Sequence, residues 1–122
     1  HIPRADASMK QGLWERKKLT GIELFGKVLG IIGLGKIGAR VAKACLSLGM
    51  LVKVYDPFLS PAKAAELGIE LVELDAIWAE ADFITVHVPK NRETTHLINA
   101  DTLAKCKPGI RLVNCARGGI MV

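Results

Sequence analysis

Apolar residues in this chain come in short runs separated by polar breaks. Val28–Ile32, Leu51–Tyr55, Ile69–Val72, Phe83–Val86 and Arg111–Asn114 have the length and β-branched content of strands. Between them, apolar positions spaced three and four apart predict helices over Ile37–Leu48, Pro61–Leu67, Asp75–Ala81 and roughly Ala100–Cys106. The first of these is the best marked, with Ile37, Val41, Ala44, Cys45 and Leu48 on one apolar stripe and Gly49 at its end. A further helix is predicted over Ile2–Gln11, stopped by Gly12. Leu13–Gly26 reads as an irregular basic connector.

Strands that alternate with helices and are apolar on both faces imply a parallel sheet covered on two sides. Asp56-Pro57, Val88-Pro89 and Lys107-Pro108-Gly109 punctuate the units. The fold class is therefore α/β, a doubly wound parallel sheet. Ligands of such sheets bind outside the carboxyl ends of the strands.

At 122 residues the chain is one domain at most and can bury about two-thirds of its unfolded surface. Half of it is hydrophobic, which argues against wholesale disorder. No apolar run approaches the roughly 20 residues of a membrane span, so no membrane partner is expected. The chain begins without Met or an apolar leader segment, as though cut from something longer. Cys45, Cys106 and Cys115 form neither a disulfide framework nor a metal-ligand cluster, and reduced thiols in a cytoplasmic protein are expected. The net charge of +5 gathers locally at Lys10, Arg16, Lys17 and Lys18. With 5% aromatic residues and no reading-helix motif, this reads as a solvated face and not as a nucleic-acid surface.

The first strand runs into Gly33-Leu34-Gly35-Lys36-Ile37-Gly38, a helix follows at once, and the second strand ends at Asp56. Strand, G-x-G-x-x-G, helix, strand and acid make a dinucleotide-binding unit. Gly33 permits the tight turn, Gly35 lets backbone approach a pyrophosphate, and Gly38 lets the helix pack on the sheet. Asp56 can accept from the adenine-ribose hydroxyls. No Arg follows it in Pro57-Phe58-Leu59, which favours NAD over NADP. The alternative for Asp56 is a turn opened with Pro57.

The fourth strand ends in His87-Val88-Pro89 and the fifth in Asn114-Cys115-Ala116-Arg117-Gly118-Gly119. Arg117, flanked by small residues, suits bidentate capture of a carboxylate; a surface or salt-bridge role is the alternative. Cys115 has no evident catalytic partners and reads as a small buried residue. His87 reads as a hydrogen-bonded structural histidine, and His96 has no nameable partner.

Together these segments resemble the D-2-hydroxyacid dehydrogenase family, from Ile2 to Ile120. The opening Ile2-Pro3, Ala7-Ser8-Met9-Lys10, Gly12, Trp14-Glu15-Arg16 and Leu24-Phe25-Gly26-Lys27 resemble its phosphoglycerate-oxidising branch, which begins serine synthesis. The resemblance implies a Rossmann-type NAD domain within a larger two- or three-domain enzyme, here incomplete. Residues 1–26 would be an interdomain helix and connector, and residues 27–122 the NAD-binding domain, truncated at its C-terminus. It implies that Lys36 and Ile37 present amides to the pyrophosphate and that Asp56 holds the ribose. Val88 and Pro89 would line the cleft, Cys115 and Ala116 would contact the cofactor through backbone, and Arg117, counted among the cofactor-binding residues too, would bind the substrate carboxylate and polarise its carbonyl. The family's acid–base His and its Glu partner would lie beyond Val122. A homodimer through the nucleotide domain is implied, with the Ile2–Trp14 segment as contact candidate.

The expected reaction is oxidation of 3-phosphoglycerate to 3-phosphohydroxypyruvate, with this chain inactive alone. Other readings are a glyoxylate/hydroxypyruvate reductase or D-lactate-type enzyme, an NAD-sensing corepressor on the same fold and, third, a nucleic-acid module.

Overall fold

The computed structural model describes residues 1–122. The chain opens with α1 (Ile2–Lys10), then a turn of 3₁₀ helix at Arg16–Leu19. From there β1 (Val28–Ile32), α2 (Lys36–Ser47), β2 (Leu51–Tyr55), α3 (Pro61–Glu66), β3 (Glu70–Leu71), α4 (Leu74–Glu80), β4 (Phe83–Val86), α5 (Ala100–Ala104) and β5 (Arg111–Asn114) alternate. Strand bounds agree with the expectation at β1, β2, β4 and β5. Strand β3 is shorter than Ile69–Val72, because the amide of Ile69 is spent closing α3 on the Ala64 carbonyl. Gly12 ends the first helix at φ +72°, as the C′ rule requires.

All five strands are parallel, in the order β3-β2-β1-β4-β5. The chain reverses its winding between β1 and β4, the switch point at which such sheets open a crevice. Strand β1 explains why the sheet must be covered twice. Leu29 and Ile31 enter one core with Ala42 of α2 and Ala64 of α3. Ile32 enters the other with Ile77 and Trp78 of α4 and Ile84 and Val86 of β4. Gly30 admits the close approach of α4, since a Cβ there would lie 2.8 Å from the Ile77 Cγ2 methyl.

The apolar stripe expected on α2 is corrected. Its covered face is Gly38, Val41, Ala42, Cys45 and Leu46, whereas Ile37 is 68% exposed, Leu48 54% exposed, and Ala44 also open. Contact with the sheet is set by two small residues, Gly38 and Ala42, the two that are buried in the helix. Ile37, one position before Gly38, is rotated outward.

Asp82 ties the amino edge of the sheet. Its Oδ2 accepts from the Val28 amide at 2.8 Å and its Oδ1 from Lys107 at 3.1 Å. The Val28 bond, ahead of Lys107, holds its carboxyl below the usual carboxylate range. The amino edge is thus a fastening, and the carboxyl edge is left for ligands.

Candidate functional site

Two backbone ties shape the crevice. The Gly33 amide donates to the Tyr55 carbonyl at 2.9 Å, and the His87 amide to the Ile32 carbonyl at 2.8 Å. They hold the ends of β1, β2 and β4 around Gly33, which sits at φ +92°. A Cβ on Gly33 would lie 2.7 Å from Val88 Cγ1 and 3.0 Å from the His87 carbonyl. A Cβ on Gly38 would collide with the Gly33 carbonyl oxygen. Helix α2 therefore starts directly over the turn, as near as backbone allows.

That start is rich in unused donors. None of the amides of Gly35, Lys36, Ile37 and Gly38 donates to an acceptor within the chain; the first amide past them, that of Ala39, returns to the Gly35 carbonyl at 3.0 Å. Free amides at a helix N-terminus, on the positive end of its dipole, bind anions. Gly35 has nothing within 4 Å of where a Cβ would stand, so a phosphate can come directly onto the backbone.

On one side of the glycine turn, a hollow of about 450 Å³ is lined by Gly35, Lys36, Ile37, Gly38, His87, Val88, Pro89, Cys115, Ala116 and Arg117. On the other side a hollow of about 330 Å³ is formed by Gly33, Asp56, Tyr55, Phe58, Leu74, Leu97 and their neighbours. Gly35, His87, Val88 and Pro89 border both, so the two are halves of one groove along the carboxyl edge. All eleven residues singled out in the sequence (Gly33, Gly35, Lys36, Ile37, Gly38, Asp56, Val88, Pro89, Cys115, Ala116 and Arg117) border it.

Asp56 makes the turn that its alternative reading described, and it stands on the groove. Its Oδ1 accepts from the Phe58 amide at 2.8 Å, the turn that Pro57 suggested. Its Oδ2 accepts from the Leu34 amide at 2.7 Å, bracing the glycine turn itself. Each carboxylate oxygen can accept about two hydrogen bonds, so one site on each remains for a ribose hydroxyl. No Lys or Arg borders this half of the groove, and Glu93 adds a second carboxylate. A 2′-phosphate there would meet two acids and no cation. The donors, the open approach over Gly35 and the acidic ribose end fit NAD.

Cys115 is corrected: it is exposed. It is the first residue past β5, where the chain has left the sheet and packing no longer covers it. Arg117 takes part in no ion pair; its Nη1 donates to the Ala116 carbonyl at 2.7 Å. A salt-bridge role within this chain is thereby removed, while the surface half of the alternative is met, since Arg117 is exposed.

His87 is hydrogen-bonded as expected, its Nε2 lying 3.0 Å from Thr85 Oγ1. Sequence reading did not place it at the junction of the two half-grooves. Burial pushes its imidazole below the ordinary value, so the fold favours the neutral ring. An unfolded histidine takes up its proton near pH 6.5. The stability tied to His87 is therefore present above about pH 6.5 and lost as the pH falls from there toward the lower folded value. In the full-length protein, His87→Gln should flatten the fall in melting temperature across that window. An equal fall in both proteins would assign it to another group.

Residues 1–122 match the family described as D-isomer specific 2-hydroxyacid dehydrogenase, NAD binding domain. The chain is 53% identical over 121 residues to a D-3-phosphoglycerate dehydrogenase of Synechocystis, covering 99% of this chain and 22% of that protein. It is 55% identical over 120 residues to the human protein of the same name, covering 98% of this chain and 22% of that one. The chain thus spans about a fifth of the length of these curated relatives. Among solved structures, D-lactate dehydrogenase from Escherichia coli superposes with a TM-score of 0.91 at 35% identity, over 99% of this chain and 39% of that one.

Proposed function

This chain belongs to the D-isomer-specific 2-hydroxyacid dehydrogenase family, in its NAD-binding domain, and on that premise we propose that the protein containing it oxidises 3-phosphoglycerate to 3-phosphohydroxypyruvate. The reading is carried by one observation: Arg117 borders the same hollow as the free amides of Gly35, Lys36, Ile37 and Gly38. A carboxylate-binding cation thus stands beside an anion-binding helix end, as a 2-hydroxy acid next to a dinucleotide requires. The choice of acid is supported by the names of the relatives at 53% and 55% identity.

NAD, when bound, supplies two-electron redox chemistry at its nicotinamide ring. The helix-end amides of Lys36 and Ile37 hold the pyrophosphate, and Asp56 accepts from the ribose hydroxyls. Val88 and Pro89 wall the groove, and Cys115 and Ala116 meet the cofactor through backbone. Arg117 fixes the substrate carboxylate and polarises the oxygen at C2. The acid–base group that takes the C2 hydroxyl proton lies outside this chain, so residues 1–122 alone are inactive.

Residues 1–26 form the interdomain helix and connector, and residues 27–122 the nucleotide-binding domain. A cytoplasmic homodimer completes the proposal. Ile2, Met9, Leu13 and Trp14, exposed along α1 and the turn after it, support a subunit contact there. No helix is long and apolar enough to cross a membrane.

The cofactor half of the proposal is tested by Asp56→Ala in the full-length protein. Loss of both ribose contacts and the Leu34 brace should weaken NADH binding at least about tenfold, at 1–1.5 kcal/mol per hydrogen bond. The preference over NADPH should narrow, because the carboxylate that repels a 2′-phosphate is gone. An unchanged NADH/NADPH ratio would remove Asp56 from this role. The substrate half is tested by turnover on phosphorylated and unphosphorylated 2-hydroxy acids.

A further inference from the structure

The segment that carries Arg117 has little of its own to hold it. Cys115 before it is exposed, Gly118 and Gly119 follow, and Gly119 sits at φ +77°. Past Arg117 the loop is pinned again, where the His96 amide donates to the Gly119 carbonyl at 2.9 Å and Ile120 is buried in the core. Between β5 and Gly119 the side-chain restraint comes from Asn114. Asn114, the last residue of β5, is half-buried and paired in register with Val86 of β4. Its Oδ1 accepts from the Ala116 amide at 3.0 Å. Its Nδ2 donates to the Arg117 carbonyl at 2.9 Å.

These two bonds hold the peptide groups on either side of the Ala116–Arg117 peptide unit and so anchor it to the sheet. The Ala116 carbonyl, inside that grip, is the acceptor on which the Arg117 guanidinium rests at 2.7 Å. Amide, loop and guanidinium form one hydrogen-bonded unit. The carboxamide, with an acceptor and a donor on one planar carbon, makes both bonds at once. An aspartate would set an oxygen against the Arg117 carbonyl, and an alanine would leave the loop to its glycines.

We infer that Asn114 is a positioning residue for the reaction, acting through Arg117 by fixing where its side chain leaves the backbone. The inference rests on the dehydrogenase reading above. Misplacing a substrate-holding group by about 1 Å costs on the order of 100-fold in rate, and a residue acting only through Arg117 matters only while Arg117 is present.

The test is a double-mutant cycle in the full-length protein with Asn114→Ala, Arg117→Ala and the pair. It is read as kcat/KM for the 2-hydroxy acid and, separately, as binding of oxalate (a mimic of the 2-oxo acid) to the NADH complex. Asn114→Ala alone should lower kcat/KM by about 10- to 100-fold, with NADH affinity within about threefold. Added to Arg117→Ala it should cost less than about twofold. Asn114→Asp, which keeps the volume and the acceptor for Ala116, should lose at least as much as Asn114→Ala.

Equal losses with and without Arg117, a loss carried by NADH affinity, or a wild-type-like Asn114→Asp would each overturn the role. Wild-type protein that turns over no 2-hydroxy acid would sink the dehydrogenase reading alone. The oxalate cycle would then still decide the coupling, and failure of oxalate to bind would overturn both.

Discussion

Arg117→Ala in the full-length protein should lower turnover of the 2-hydroxy acid by about 10³-fold while leaving NADH affinity within about twofold. Removing one preorganised donor from a developing oxyanion costs on the order of 10²–10³ in rate. Arg117 is assigned two such tasks, the carboxylate and the C2 oxygen. The cofactor should be spared because its anchors lie elsewhere, on the amides of Gly35 to Gly38 and on Asp56. The loop itself should also be spared, since Asn114 holds the Ala116 amide and the Arg117 carbonyl through backbone that an alanine retains. Steady-state kinetics beside an NADH titration separates the two quantities. Loss of NADH binding with little further effect on turnover would return Arg117 to the cofactor and leave the substrate without its anchor.

Gly38→Ala should have the second large effect, and on the opposite partner. The added methyl would strike the Gly33 carbonyl oxygen, which is backbone and has no rotamer by which to yield. Either α2 lifts from the sheet or the turn at Gly33 shifts, and both move the free amides away from the pyrophosphate. Overpacking of this kind costs about 1–3 kcal/mol of stability. Displacing several amide donors at once should weaken NADH binding by about 100-fold, at 1–1.5 kcal/mol for each hydrogen bond lost. Calorimetry and thermal melting of the full-length protein read both. Wild-type NADH affinity in a well-folded Gly38→Ala protein would show that the helix end does not hold the cofactor.

The parts of this fold that could be read from sequence are those fixed by local chemistry. The four longer strands are bounded by glycine, proline or a polar turn, and their β-branched runs reproduce the observed bounds. Gly33, Gly35, Gly38 and Asp56 stand in a motif whose spacing is itself geometric, so the groove was legible before any coordinate. The stripe on α2 was not. Hydrophobicity favoured Ile37 and Leu48, but the sheet selected Gly38 and Ala42 because small residues allow the closest approach. Cys115 was misplaced for a related reason: a small apolar residue after a strand carries no sign of where the sheet ends.

Side-chain-to-backbone ties were missed outright. Asp56 to the Leu34 amide and Asn114 to Ala116 and Arg117 are contacts of single polar groups. Their partners are set by tertiary placement or by a turn's dihedral angles. No residue spacing announces them. They are also the contacts that turn a lined groove into an ordered site, and so they carry much of the predicted chemistry.

The most direct measurement is steady-state turnover of the full-length protein with NAD on 3-phosphoglycerate, D-glycerate and D-lactate side by side. Turnover confined to 3-phosphoglycerate is the predicted result and makes this groove the cofactor site of a phosphoglycerate-oxidising enzyme. Turnover only on the unphosphorylated acids would contradict the substrate while keeping the chemistry of Arg117. No turnover on any of the three, with NADH still bound, would contradict the account and favour an NAD-sensing protein on the same fold.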